Sequence, residues 1–283
     1  MPKETVQTVA RALSVLRAFS RERPTMSVAE LTRCLDLPRT IVLRLLNTLE
    51  DAGYVERVAD TSHYRIGLAA LKLGALYLAD NPLIVQAADV LDDLARQTGY
   101  TAYLGALDRG DGVILALREG QQPVRFVWAI GDRLPATTTA FGKAMLMHMD
   151  GQQVDTILGD DTDDRLTGLT EQSIKTRIEL GRQLERAQEQ GWIIAQDESY
   201  PGVSAVGAAI VNAGGFPVAG VSVSFLTYPS NPRLVEQFGR LTVDAAHTLS
   251  QRLAVHHLYG QRNVLAATMP TALTRQRRSM KEA

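Results

Sequence analysis

The chain has 283 residues and a formal net charge of −1; this length suits two ordinary domains, and the near-neutral charge argues against a protein that coats nucleic acid. Hydrophobic residues make up 45% and charged residues 22%, which is typical of a globular protein. No apolar run approaches the roughly 20 residues of a membrane span, and the single cysteine, Cys34, excludes an internal disulfide and a multi-cysteine metal site.

Residues 1–67 predict three helices followed by a β-hairpin, the order of a winged helix-turn-helix. Apolar residues recur at helical spacing over residues 5–20. Ser27 and Glu30 then form a capping box, in which the serine hydroxyl accepts from a first-turn N–H and the glutamate reaches back. A short turn leads into a third helix that ends at Gly53, a natural C-cap.

The third helix has an apolar face and a polar face. The apolar face consists of Val42, Leu45, Leu46 and Leu49, and the opposite stripe consists of Arg39, Thr40, Leu43, Arg44 and Asn47. A helix in the major groove needs such a stripe, because arginines donate two hydrogen bonds to guanine and an apolar side chain contacts the thymine methyl. An ordinary surface helix has the same pattern, but the capping box, the turn, the glycine stop and the hairpin favour DNA.

Two further groups extend the candidate DNA-binding set. Ser27 begins the second helix, and His63 and Arg65 lie near the tip of the predicted wing, where they would approach the minor groove. The alternative for His63 is an ordinary solvated surface residue.

The rest of the chain predicts a linker and a second domain. Residues 68–82 form an amphipathic linker helix, and residues 83–258 alternate helices with β-like runs, including residues 124–131, as in an α/β (α+β) domain with an antiparallel sheet. Residues 259–283 are basic with few apolar side chains, so we expect a disordered tail. The N-terminus lacks the order of a signal peptide, so we expect a cytoplasmic protein.

Five motifs follow one another over nearly the whole chain: TVARALSVLRAF, SVAELTRCLDLPRTIVLRLLNTLEDAGYVER, YRIGLAALKLG, the A-x-GKAML run at 140–146 and the series GW…DESYPGVSAVGAAIVN…VAGVSVS. Together they resemble the IclR family of bacterial transcription regulators. The resemblance implies a winged helix-turn-helix head, a linker helix and a GAF-like effector-binding domain in a homodimer or homotetramer. It also implies a repressor or activator of a catabolic operon that binds a pseudo-palindromic double-stranded DNA operator.

The same resemblance assigns roles to individual residues of the head. Arg39, Thr40 and Arg44 match the polar positions of the family's recognition helix. Arg11 matches a basic residue of the first helix that touches backbone phosphate.

The resemblance also implies an effector pocket for a small organic or aromatic carboxylic acid. The family holds the carboxylate on backbone N–H groups where the GKA helix begins, and strand residues and apolar walls complete the pocket. The matching positions here are Ala140 and Phe141 at the helix, Asp197, Ala205, Ser222 and Ser224 on the strands, and Phe126, Trp128 and Leu134 as walls.

The pocket departs from the family pattern in ways that predict the ligand's size. Ala205 replaces the usual cysteine, Ala195 stands where an acidic residue is common, and Phe141 stands where small residues are frequent. We therefore expect an effector larger and more apolar than a two- or three-carbon keto acid. In the alternative interpretation, Phe126 and Trp128 are core residues and the preceding threonines only cap the helix.

No pattern indicates an enzyme, a metal or a cofactor. The sequence contains neither an HExxH metal motif nor a GxSxG nucleophile elbow, and we expect Cys34 to be buried packing. A hydrolytic α/β enzyme with a fused DNA-binding head is the weak rival, and a binding or scaffold module without DNA is the second.

Overall fold

The chain divides between Asp80 and Asn81 into two units in the computed structural model. The structure describes residues 6–123, 128–159, 164–228 and 231–255. The expected basic tail at 259–283 and the effector candidate Phe126 lie outside the described residues.

The first unit has the predicted winged helix-turn-helix order. Its elements are α1 (Gln7–Arg17), β1 (Thr25–Ser27), α2 (Val28–Leu35), α3 (Arg39–Asp51), β2 (Val55–Arg57), β3 (His63–Ile66) and α4 (Leu68–Ala79). The strands form an antiparallel sheet in the order β1-β3-β2. The sequence did not predict β1, whose three residues become a strand only because they pair with β3, as Met26 does with Tyr64.

Apolar side chains from all three helices form the core of this unit. Val15, Leu31, Val42 and Leu46 are fully buried together with Met26 and Tyr64 from the sheet. The predicted inner face of α3 is confirmed, since Val42, Leu45, Leu46 and Leu49 are all buried.

The expectation that Cys34 is buried is wrong, because its side chain is exposed. The helix α2 is only about two turns long, and its buried positions are occupied by Val28 and Leu31 rather than by Cys34.

Apart from Lys72, the side chains of α4 are apolar on every side of the helix, so the expectation of an amphipathic linker is also wrong. None of its residues is buried within the unit. Leu68 is 77% exposed and Leu71 is 66% exposed, and Leu73, Leu76 and Tyr77 are exposed as well. Val9 and Leu13 of α1 are further exposed apolar side chains.

The second unit is a six-stranded antiparallel sheet with helices on both faces. Its elements are α5 (Pro82–Thr98), β4 (Thr101–Asp108), β5 (Asp111–Arg118), β6 (Arg133–Pro135), a 3-10 turn (Ala136–Thr138), α6 (Ala140–Leu146), α7 (Gly151–Leu158), α8 (Arg177–Gln188), β7 (Ile193–Tyr200), β8 (Val203–Val211), β9 (Pro217–Leu226) and α9 (Pro232–Val255). The strand order is β6-β5-β4-β9-β8-β7.

Strand alternation separates two cores. On one face, Leu104, Val206, Val221 and Val223 pack against α5 and α9. On the other face, Leu107 and Ile193 pack against α6 and α8.

Three local expectations for this unit need correction. The described part of the expected strand at 124–131 is not a strand, because a turn intervenes in which Ala129 N–H donates to Asp132 Oδ2 at 2.7 Å. The helix α7 was not predicted; Asp150 and Gln153 cap it reciprocally. The helix α8 begins only after Thr176, whose hydroxyl caps it.

No single helix in the described ranges is both long and apolar enough to cross a membrane. The helices α4 and α5 pass that test only when they are counted together across the break between them.

Candidate DNA interface and effector site

The outer face of α3 presents the residues that the sequence singled out. Arg39, Thr40, Arg44 and Asn47 are exposed. Leu43 is half-buried and packs at the edge of the core. The stripe is therefore available to a partner, while the inner face of the same helix holds the unit together.

Arg11, Arg39 and Arg44 are among the arginines of the head whose side chains have no internal partner in the described ranges. Within the described part of the chain, the guanidinium groups of Arg11, Arg39 and Arg44 form no hydrogen bond or ion pair. Arg11 and Arg44 also line one groove of about 210 Å³ between α1 and α3. Thr8 adds a hydroxyl group to the lining of that groove, whereas the Thr48 hydroxyl donates to Arg44 O at 3.0 Å. Such a groove suits a phosphate oxygen, which takes hydrogen bonds from arginine and hydroxyl donors.

The wing residues, in contrast, are engaged within the protein. Arg65 lies within β3 rather than at the wing tip, and its Nε is 2.5 Å from Glu56 Oε1. His63 Nε2 is 3.7 Å from Glu30 Oε2. Each contact joins β3 to a neighbouring element of the head, and both pairs are exposed to solvent.

Ser27 has a structural role. Its hydroxyl accepts from the backbone N–H of Glu30 at 3.3 Å, and its own N–H donates to Glu30 Oε2 at 2.7 Å. The Ser27 hydroxyl also donates to Glu30 Oε2 at 2.7 Å, and this bond, together with the one from the Ser27 N–H, lowers the pKa of the Glu30 carboxyl. The capping box predicted from the sequence is present in full.

In the second unit, α6 lies directly on glycines of the sheet. A Cβ at Gly207 would be 2.4 Å from the carbonyl carbon of Ala140, and one at Gly220 would be 2.7 Å from the carbonyl oxygen of Phe141. The start of α6 therefore approaches β8 and β9 more closely than any side chain would allow.

The ring of Phe141 fills the space over two more glycines. A Cβ at Gly105 would lie 2.2 Å from Phe141 Cε2, and one at Gly112 would lie 2.8 Å from the same atom. The ring packs with Tyr103 and Ile114, and Phe141 is only 3% exposed. Phe141 is thus a packing residue of this face, which removes one reason for expecting a large apolar ligand.

Two further apolar candidates, Leu134 and Trp128, and the buried phenol of Tyr103 belong to the same region as Phe141. Leu134 is buried, and Trp128 is half-buried with its backbone N–H donating to Tyr103 Oη at 3.2 Å. Burial raises the pKa of Tyr103 to about 12, so this phenol stays protonated at neutral pH.

The polar candidates Ser222 and Ser224 share the sheet face that α6 covers. Ser222 pairs with Gly207 on one side and Tyr103 on the other, and Ser224 pairs likewise with Ala205 and Thr101. Sequence reasoning missed Thr101 and Tyr103, because only the strand register places them opposite the two serines.

Asp197 organises a β-bulge. It has a φ of 55° and lies at the irregularity in the pairing of β7 with β8. Its Oδ1 accepts from Gly202 N–H and from Thr227 Oγ1, each at 2.7 Å. These two bonds occupy the same carboxylate oxygen, so the geometry gives Asp197 a turn-forming role.

A buried ion pair fixes α6 to β7 and α8. Lys143 Nζ donates to Glu198 Oε1 at 2.7 Å, to Ile194 O at 2.7 Å and to Gln183 Oε1 at 2.9 Å. The side chains are 0% and 5% exposed. Burial lowers the pKa of Lys143 and raises that of Glu198, while their mutual attraction opposes both changes. The sequence motif GKA pointed to this helix, but it did not reveal the partner of its lysine.

Comparison with known proteins identifies the two units. Residues 8–59 match the sequence family described as the IclR helix-turn-helix domain, and residues 75–251 match bacterial transcriptional regulator IclR C-terminal. The HTH-type transcriptional regulator XynR of Escherichia coli (strain K12) is 27% identical over 248 residues, which are 88% of this chain and 97% of the relative.

Solved structures agree in fold. An IclR transcriptional regulator from Alicyclobacillus acidocaldarius has a TM-score of 0.76 at 25% identity, covering 88% of this chain and 99% of that one. An IclR homolog from Microbacterium hydrocarbonoxydans, complexed with 4-hydroxybenzoate, has a TM-score of 0.68 at 19% identity, covering 87% and 99%; this likeness shows the fold alone. The chain is a DNA-binding transcription regulator rather than an enzyme, and it belongs to the IclR family.

Proposed function

We propose that this regulator binds a specific operator through α3 and the α1–α3 groove, and that a small organic or aromatic carboxylic acid controls its binding. One observation carries the DNA part. The guanidinium groups of Arg11 on α1 and of Arg39 and Arg44 on the outer face of α3 have no partner within the described residues, whereas Arg65 is paired with Glu56. An unpaired surface arginine loses no internal partner when it contacts DNA.

Arg44 and Arg39 read bases in this proposal, with Thr40, Leu43 and Asn47 beside them, and Arg11 holds a backbone phosphate. Arg44→Ala should then cost about 1–3 kcal/mol on the operator and relax specificity at one base pair. Arg11→Ala should weaken binding to all DNA sequences alike. It should also reduce the slope of log affinity against log salt concentration by about one. Ser27, His63 and Arg65 stay predictions, with their internal contacts counting against a dominant role.

The test is fluorescence anisotropy with DNA from upstream of this gene and its neighbours, at several salt concentrations. The variants are Arg39→Ala/Arg44→Ala and, as the matched control, Arg96→Ala/Arg240→Ala, which changes two exposed arginines of the second unit. We expect the Arg39→Ala/Arg44→Ala variant to lose site-specific binding while the control stays within a few-fold of wild type. Unchanged affinity of the Arg39→Ala/Arg44→Ala variant would refute the proposed interface.

We propose that a second copy of the chain packs against the exposed apolar side chains of α4 and α1. Exposed apolar side chains occur on both helices: Leu68, Leu71 and Leu76 on α4, and Val9 and Leu13 on α1. Clustered exposed apolar side chains mark interaction surfaces. A homodimer, paired further in a homotetramer, would present two recognition helices to successive major grooves and favour a pseudo-palindromic operator. Sedimentation velocity of the wild type and of Leu71→Lys tests this dimer interface. The variant dimer should dissociate into monomers at a higher protein concentration than the wild-type dimer. Dissociation at the same concentration would argue against the interface.

The effector site proposed for the carboxylic acid is the sheet face in front of α6. Ala140 and Phe141 supply backbone N–H groups at the helix start, Ser222 and Ser224 supply hydroxyls, and Ala205, Leu134 and Trp128 supply the remaining surface. Phe126 belongs to the same proposal, whereas Asp197 contributes through the bulge that shapes the edge. The complex of the Microbacterium homolog with 4-hydroxybenzoate supports an acid of this general kind.

Effector binding changes operator affinity through the linker helix α4 in this proposal. The coupling equals the difference in the acid's affinity for the two arrangements of the protein, typically about 1–3 kcal/mol. The operon served is a catabolic one, and the protein acts on chromosomal DNA in the cytoplasm. A footprint on the upstream DNA with and without a panel of acids tests this: one acid should change occupancy of a protected near-palindrome, and an occupancy that no acid changes would contradict ligand control.

A further inference from the structure

We propose that Thr101 is an effector-binding residue, and that the effector is therefore a carboxylic acid that also carries a hydroxyl group. The inference rests on the proposed function, since it extends the same site. The hydroxyl groups on the sheet, rather than the apolar walls of the site, indicate the class of ligand.

Four hydroxyl-bearing residues form a square on two neighbouring strands. Thr101 on β4 pairs with Ser224 on β9, and Tyr103 pairs with Ser222. Antiparallel partners have Cα atoms about 4.5–5.5 Å apart and side chains on the same face. All four side chains therefore lie on the face that α6 covers.

The start of α6 borders this square. Gly207, which Ala140 touches, is the neighbour of Ser222 on β8, and Gly220, which Phe141 touches, lies two residues before Ser222. An acid with its carboxylate at the helix start would extend over the square. Its far end then meets hydroxyl groups.

Thr101 is the residue that a ligand would satisfy. It is 1% exposed, and its Oγ1 has no hydrogen-bond partner in the described part of the chain. Thr98 and Thr242 are also buried, but their hydroxyl groups are satisfied: Thr98 Oγ1 donates to Leu94 O and Thr242 Oγ1 donates to Phe238 O, each at 2.7 Å. A buried hydroxyl without a partner is unfavourable, because it has lost its hydrogen bonds to water.

This arrangement favours a hydroxylated ligand over a wholly apolar one. A ligand hydroxyl both donates and accepts, so it can bond Thr101 and a neighbouring serine at once. An apolar tail would leave the threonine hydroxyl unpaired in the complex as well. A site built to hydrogen-bond a ligand hydroxyl discriminates strongly against the analogue that lacks it.

The experiment uses the full-length protein, isothermal titration calorimetry and acids in matched pairs: benzoate with 4-hydroxybenzoate, propionate with lactate, and hexanoate with gluconate. The variants are Thr101→Val, which keeps the shape and removes the hydroxyl, and Thr101→Ser, which keeps the hydroxyl. Thr242→Val is the matched control, since that threonine is buried on α9 and its hydroxyl bonds within its own helix.

For wild type and for Thr101→Ser, we expect the hydroxylated member of one pair to bind about tenfold more tightly. In Thr101→Val, that preference should fall to about twofold or less without a lower melting temperature, while Thr242→Val keeps it. The combination matters, because a merely structural threonine would change the melting temperature and leave the preference alone.

Three results would overturn the inference. Equal binding of both members in every pair, or a preference that Thr101→Val leaves intact, removes the role of Thr101 while an acid effector stands. Binding of no acid at all contradicts the carboxylic acid effector itself, and this inference with it.

Discussion

The buried ion pair between Lys143 and Glu198 makes a quantitative prediction for Lys143→Met. Methionine fills most of the space of lysine but leaves three acceptors behind: the carboxylate of Glu198, the amide oxygen of Gln183 and the carbonyl oxygen of Ile194. Removing one partner of a buried pair costs about 3–5 kcal/mol, because the other charge stays uncompensated. For a unit of about 200 residues this corresponds to a melting temperature about 10 °C lower.

The pH dependence of that loss distinguishes an uncompensated charge from a packing defect. Burial already raises the pKa of Glu198, and the ammonium of Lys143 opposes that rise; without the ammonium the folded-state pKa rises further. A folded-state pKa above the unfolded value means that the folded variant binds a proton more tightly. The variant therefore gains stability, relative to wild type, as pH falls through the folded-state pKa toward the unfolded value.

Urea unfolding followed by far-ultraviolet circular dichroism at pH 5 and pH 8 measures both quantities. The second change Glu198→Gln in the Lys143→Met background should recover part of the loss at pH 8, because it removes the unpaired charge. Lys175→Met is the control, since that lysine is exposed and donates to Thr170 O at the surface. A loss below about 1 kcal/mol, or the same loss at both pH values, would refute the reasoning.

Two further changes test local structure. Ser27→Ala removes the cap of α2 and should cost about 1 kcal/mol in urea unfolding; no loss would show that Glu30 holds the helix start without the hydroxyl. Gly105→Ala places a methyl group 2.2 Å from Phe141 Cε2 and should cost about 1–3 kcal/mol or more. The same alanine combined with Phe141→Leu should cost less, and an equal cost in both backgrounds would mean that the ring is not the obstacle.

The local features of the head were predictable because their causes lie close together in the sequence. The capping box needs only Ser27 and Glu30, and the two faces of α3 follow from its 13 residues. The exposure of Cys34 was not predictable in this way, since it depends on which residues of a two-turn helix face the other helices. Strand β1 was not predictable either, because its three residues form a strand only through pairing with β3.

The candidate effector site was only partly predictable, because the strand register that assembles it joins distant segments. Ser222 follows Tyr103 by more than 100 residues, and no local pattern states that they are neighbours. The location of Phe141 in the core depends on glycines from two different strands, Gly105 and Gly112. The motif around Lys143 on α6 was visible in the sequence, but its partner Glu198 lies 55 residues later, on the irregular part of β7.

The exposed thiol of Cys34 makes the head of this protein addressable by chemistry without prior mutagenesis. It is the only cysteine in the chain, and it lies on α2, outside the proposed recognition stripe of α3. A maleimide nitroxide would therefore attach at one position in each copy. Pulsed electron–electron double resonance between the two labels of a homodimer would measure the distance between the heads. The measurement could be made with and without an acid, in the wild-type sequence.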